Sequence, residues 1–222
     1  MMKKILMMIF ILSAGMMGQS KLMLSFNPGM SLYNSENSML TIGDKSIGWF
    51  PGISLRYEKN NVSGLSYQIE YCFAYSKTTD VLDFPETNIG NGTILYTLGA
   101  DLTLTEHNID ADLVYHIAEA LSVSGGPTVA LVYRSLEVDN IPTQTNLQKS
   151  LDDRLASLCL GVNCSINVEL PLDDNPQYLF LFSSINARYL HSVYFDKRGR
   201  DLDDYYQSFL SGQVNIGLGY CF

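Results

Sequence analysis

Few residues in this 222-residue chain could act on a substrate. His191 and Ser192 stand side by side, and Asp196, Asp201, Asp203 and Asp204 follow them. A serine, a histidine and an acid within hydrogen-bond reach form an activated nucleophile, the chemistry of lipid and ester hydrolysis. Neighbouring residues of an extended strand point to opposite faces, however, so His191 is badly placed to serve Ser192. No catalytic residue is assigned, and the chain is not expected to be an enzyme. Cys72, Cys159, Cys164 and Cys221 form no Cys-x-x-Cys pair and have no histidine cluster beside them. Metal-ligand spacing is absent, so neither metal nor cofactor is expected, and small-residue packing is the preferred role for the thiols. Acids gather at Asp80, Asp83, Glu86, Asp101 and Glu106, and again at Glu137, Asp139, Asp152 and Asp153. Such clusters can bridge divalent cations to lipid phosphates, but the spacing is not that of a calcium loop and solvated loop charge is the stronger reading. A last set comprises Arg56, Glu58, Glu70, Asp110, Asp112, His116, Arg134, Glu169 and Arg188. All are interleaved with apolar residues, and together they could form an ion-paired interior or line a narrow polar path.

The elements that carry these residues alternate between apolar and polar side chains. In the last segment Leu210, Val214, Ile216, Leu218, Tyr220 and Phe222 share one face, and Ser211, Gln213, Asn215, Gly217, Gly219 and Cys221 the other. A period of two is the mark of a β-strand and no helical period reproduces it. The same alternation runs through Trp49–Glu58, Leu65–Ser76, Ile109–Ile117, Leu121–Tyr133 and Ser157–Leu170, and more weakly through Leu22–Tyr33 and Gln177–Phe195. Short links fall near Lys59–Ser63, Ala118–Ala120 and Pro171–Pro176. Long ones fall near Asn34–Ser46, Lys77–Glu106, Ser135–Asp153 and Asp196–Tyr206. Eight segments joined by alternating short and long connections describe an antiparallel up-and-down barrel with both termini at one end, the pattern of outer-membrane barrels. A soluble sandwich or lipocalin-like barrel shares the alternation but buries its apolar face. One stretch departs from the rhythm. Apolar residues are even-numbered from Ile94 to Leu104 and odd-numbered from Ile109 to Ile117. We expect a β-bulge there, within one long strand over 92–117 that projects beyond the membrane, with a separate external hairpin as the competing reading.

Two features of the wall, together with the terminal Val-Asn-Ile-Gly-Leu-Gly-Tyr-Cys-Phe, favour lipid outside it. Aromatics lie near the strand ends on the apolar face (Trp49, Tyr57, Tyr67, Tyr75, Tyr115, Tyr133, Tyr189 and Tyr220), as in interfacial girdles. The opposite face carries too much charge for a dry core, and an eight-strand interior is just wide enough to be filled by such side chains. The chain also opens with Met-Met-Lys-Lys and an apolar run from Ile5 to about Met17, a signal-peptide pattern too short to span a bilayer as a helix. Residues 1–20 are assigned to the signal peptide and 21–222 to one barrel domain, with cleavage after Gly18 or Ser20 both fitting. Loss of Lys3 and Lys4 takes the charge from −9 to −11, from 12 basic and 23 acidic residues. That balance counts against nucleic acid as a partner.

The terminal Val214, Ile216, Leu218, Tyr220 and Phe222 resemble the C-terminal signal of outer-membrane barrels. Asn108–His116 followed by Leu121–Tyr133 resembles the central hairpin of the porin-like family of small outer-membrane barrels, the eight-stranded kind common in Bacteroidetes-type bacteria. The resemblance implies a Gram-negative outer-membrane location, insertion by the barrel-assembly machinery, contact with membrane lipid and lipopolysaccharide, and a monomer. The expected function is a structural or surface-interaction barrel with its lumen plugged by polar side chains. A narrow channel for small solutes or ions, and a lipid hydrolase, are the alternatives.

Overall fold

The computed structural model describes residues 19–27, 31–33, 41–42, 45–46, 50–60, 65–85, 95–139, 153–173, 177–197 and 208–222. Expectations for the leader up to residue 18 and for Trp49, Glu86, Asp152, Asp201, Asp203 and Asp204 lie outside these residues. The strands are β1 (Ser20–Asn27), β2 (Ser31–Tyr33), β3 (Thr41–Ile42), β4 (Lys45–Ser46), β5 (Gly52–Asn60), β6 (Leu65–Pro85), β7 (Leu95–Ala118), β8 (Leu121–Asp139), β9 (Asp153–Pro171), β10 (Tyr178–Lys197) and β11 (Ser208–Cys221). Eight of them, β1 and β5 to β11, form an antiparallel ring in sequence order. The ring closes where β1 meets β11, from Lys21↔Cys221 to Phe26↔Ile216. Farther along β11, the three-residue β2 pairs with Ser211–Gln213. Ser20 and Phe222 exchange backbone hydrogen bonds of 3.0 and 2.9 Å, so both ends of the ring sit at one mouth, the one with the short links. Closure leaves no free edge within the ring, which is how a sheet satisfies every backbone group without water.

Within the ring, each strand alternates between inside and outside. On β1 and β9–β11 the odd and even positions divide as the sequence pattern requires, with Leu24, Val162, Ile166, Ile185, Ile216 and Leu218 each more than half exposed on the outer wall. Two boundaries differ from expectation. The connection expected over Lys77–Glu106 is largely strand, because β6 continues to Pro85 and β7 begins at Leu95, paired residue for residue. Likewise β8 runs on to Asp139. Threonines and branched or aromatic residues at Thr78, Thr79, Val81, Tyr96 and Thr97 favour extended pairing there, in spite of the surrounding acids.

The expected bulge at residues 104–109 is not present. The β6–β7 register is continuous from Leu65↔Tyr115 to Pro85↔Leu95, and every even residue of β7 from Ala100 to Val114 is buried. What changes is the environment. From Ile109 to Ile117 the outward residues are apolar and exposed while the inward ones include Asp110 and Asp112. Above that level Thr103 and Asp101 face outward, while Leu104 and Leu102 face inward with no exposure at all. β8 changes its outer face likewise. Val129, Leu131 and Tyr133 face outward with Thr128, Ala130 and Val132 behind them, and farther up Glu137 is exposed. The register irregularities that do occur are at His116/Ala118 beside the short turn, and at Ser192/Tyr194, where Val193 is the extra residue of β10.

Candidate functional site

The charged residues of the set converge inside the ring. Arg56 on β5 donates from Nε and Nη2 to Glu70 Oε2 at 3.2 and 2.8 Å. Its Nη1 reaches Asn167 Oδ1 on β9, the strand diametrically opposite β5 in the ring, at 2.8 Å. Arg188 on β10 donates to Asp110 Oδ2 on β7 from Nε and Nη2 at 3.0 and 2.6 Å, and to Gln213 Oε1 at 2.6 Å. Thr128 donates to the other oxygen of Asp110. Lys21 on β1 pairs with Glu169 on β9 at 2.6 Å, again across the lumen. At 1% exposure each, both guanidiniums are sealed from solvent. Such forks hold two oxygens in fixed geometry and act as rigid struts between strands that share no backbone bonds.

Apolar clusters alternate with this network along the lumen. At the mouth with the short links, Met23, Phe180, Phe182 and Cys221 pack together. Lys21 and Arg56 stand 5.7 and 5.4 Å from the centroids of the Phe180 and Phe182 rings, a cation–π distance. The rings fit because glycine occupies the opposing positions: a Cβ on Gly219 would meet Phe180 at 2.2 Å, and one on Gly217 would meet Phe182 at 2.6 Å. At the far end Phe50, Leu102, Leu104, Val132 and Leu190 are buried to 1% or less.

Several residues sit otherwise than the sequence suggested. His116 bonds Glu58 Oε1 at 2.9 Å and Ser66 at 3.2 Å. Asp112 is bound by the amides of Gln68 and Asn163. Glu106, assigned to an acidic loop, is buried inside β7 and accepts from Asn108. Asp101 belongs to the same strand, outside the ring, and pairs with Lys77 at 2.6 Å. Hydrogen bonds from Lys77 and then Thr79 hold the Asp101 carboxyl below its ordinary range, and Asp101 in turn raises Lys77. Arg134 is half-buried, and Glu169 and Glu58 lie inside the wall. Lys21, Gln68, Asn163, Asn167 and Gln213 were not singled out in the sequence. Their inward parity was readable, but which strand they reach across the lumen was not. Ser192 is fully buried inside, while His191 faces outward and meets Ser208 at 2.7 Å, so the pair points apart. All four cysteines are free, three buried and Cys164 on the outer wall. Phe222 is 38% exposed and stacked on Tyr220, with Cys221 turned inward.

A closed eight-strand ring with a filled interior and an apolar outer wall is the fold of the small outer-membrane β-barrels. Two structures of Ail, the attachment invasion locus protein of Yersinia pestis, match it. One has a TM-score of 0.53 at 14% identity. The other, in complex with the heparin analogue sucrose octasulfate, has 0.50 at 15%. Each alignment covers 93% of this chain and 100% of Ail. A major outer membrane protein of Thermus thermophilus aligns at 0.49, with 11% identity over 93% of this chain and 100% of its own. No protein-family model and no curated protein matches the sequence.

Proposed function

We propose that this chain is an integral outer-membrane barrel with a closed lumen, serving a structural or surface-interaction role through its long-loop end. The carrying observation is the change of the outer face along β7 and β8. A soluble barrel is apolar inside throughout. Here the wall is apolar outside over Ile109–Ile117, with buried acids such as Asp110 and Asp112 behind it, and its outer face turns polar beyond. Nine residues rise about 30 Å along a strand, or roughly 23 Å at a ~40° tilt, close to the ~25 Å apolar band of such barrels. Outward Tyr75 and Tyr133 mark its upper limit, and Lys77 and Thr103 follow. The porin-like affiliation is supported by the hairpin pattern over residues 108–133 and by the strand count. Lipid and lipopolysaccharide are the contacts this belt supports, and a monomer suffices because the ring closes on itself. The charge balance gives nucleic acid no place among its partners.

Closure of the lumen is supported by the three struts and the two apolar clusters, which favours a plug over a channel. Hydrolysis is disfavoured by the opposite orientations of His191 and Ser192. The sulfated ligand of Ail is not carried over, since the strand ends beyond the belt bear Asp80, Asp83, Asp101, Glu137 and Asp139. The assembly-machinery signal is read from Val214, Ile216, Leu218, Tyr220 and Phe222, which face outward up to the closing seam. The test is purified barrel in planar bilayers, paired with detergent fractionation of cells. The expected outcome is a detergent-insoluble, heat-modifiable band that adds no stepwise current. Reproducible unitary steps would replace the plug with a channel, and a fully soluble chain would remove the membrane.

A further inference from the structure

We propose that the lumen binds one small monovalent cation, of the sodium or potassium class, at Asp112 and Gln68. The buried side chains among the described residues include six acids, namely Glu58, Glu70, Glu106, Asp110, Asp112 and Glu169. They include only three cations, Lys21, Arg56 and Arg188. Counting the partly exposed His116 and Arg134 as charged still leaves one negative charge in excess. A buried carboxylate without a counter-charge is costly, and either a proton or a bound cation balances it.

The geometry points to Asp112. The three buried cations are bound to Glu70, Asp110 and Glu169, and His116 to Glu58. Glu106 accepts from Asn108 and has a further partner, whereas the hydrogen-bond partners of Asp112 are two neutral amides. Gln68 Nε2 donates to Oδ2 at 3.1 Å and Asn163 Nδ2 to Oδ1 at 2.9 Å. A carboxylate can only accept, which fixes the Gln68 amide with its nitrogen toward Asp112. Gln68 Oε1 is thereby left without a partner, although the residue is 2% exposed. An amide oxygen without a donor, on a residue bonded to a carboxylate without a counter-charge, is a donor set that a hard cation takes.

The carboxylate also lies in a less sealed part of the network: Asp112, Ser124, Asn163 and Ser165 keep 6–8% exposure, against 1–2% for Arg56 and Glu70. One carboxylate with one amide oxygen suits a single charge better than two, since divalent cations draw on more carboxylates.

The test uses the full mature chain refolded in detergent micelles. Thermal unfolding is followed in sodium, potassium or choline chloride at equal ionic strength, since choline is too large for the site. Replacing choline with sodium or potassium should raise the midpoint by about 3–6 °C in the unaltered chain. The gain should vanish in Asp112→Asn and shrink in Gln68→Met, which decides the matter alone if the first variant does not fold. Sodium NMR should show line broadening with the unaltered barrel that potassium reverses and Asp112→Asn lacks. An equal midpoint in all three salts, or a gain that survives in a folded variant, overturns the site. Neither result bears on where the barrel resides in the cell.

Discussion

Arg188 shows most clearly what a single side chain does in this lumen. Its guanidinium spans from β10 to β7 and leaves the Asp110 carboxylate with a full complement of donors. Arg188→Met would leave that carboxylate buried and without its counter-charge, a change that typically costs about 3–5 kcal/mol. Arg188→Met combined with Asp110→Leu removes both charges and should recover much of the loss. Urea titration of the refolded barrel measures both variants, and a double variant no more stable than the single one would refute the strut. The parity of a residue was legible at this scale: Arg56, Glu70, Asp110 and Arg188 could be placed inside from alternation alone. Their partners could not, since Arg56 and Asn167 are 111 residues apart and meet only when the ring closes.

At the scale of the element, β7 carries the main lesson. A shift in the phase of the apolar residues reads as a bulge when one face is assumed to be apolar throughout. The strand stays regular and its two faces change instead, from apolar to polar outside and from charge to hydrocarbon inside. Leu104, with no exposure, should therefore behave as a core residue although it lies beyond the apolar belt. Leu104→Ala is expected to destabilise the barrel by about 2–5 kcal/mol. Thr103→Ala on the outer surface should stay within about 0.5 kcal/mol. Equal effects in the two variants, read by the same urea titration, would mean that the upper apolar cluster does not pack as described. The weak alternation of β10 has a similar origin. Phe180 and Phe182 point inward because Gly219 and Gly217 leave space for their rings, a dependence visible only once β10 is paired with β11.

For the whole molecule, closure is the governing event. The seam joins the first described strand to the last, and Phe222 fastens it through two backbone bonds with Ser20. Deleting Phe222 removes those bonds and the aromatic stacked on Tyr220, so it should slow insertion and lower the yield of heat-modifiable barrel in cells. Normal rate and yield from the deletion would show that the seam closes without it. A signal cut after Ser20 would remove the same partner, whereas one after Gly18 keeps it.

The sequence by itself determined the strand count, the short-and-long rhythm of the connections and the side of the wall on which most residues lie. Those properties follow from a period of two and from turn chemistry, both local along the chain. Tertiary structure alone decided that Glu106 and Leu104 share the interior, that Arg56 reaches the opposite wall, and that Asp112 is bonded by the amides of Gln68 and Asn163. Each depends on the register between strands and on the stagger with which the ring closes, and these quantities are set by packing across the lumen. No single segment encodes them.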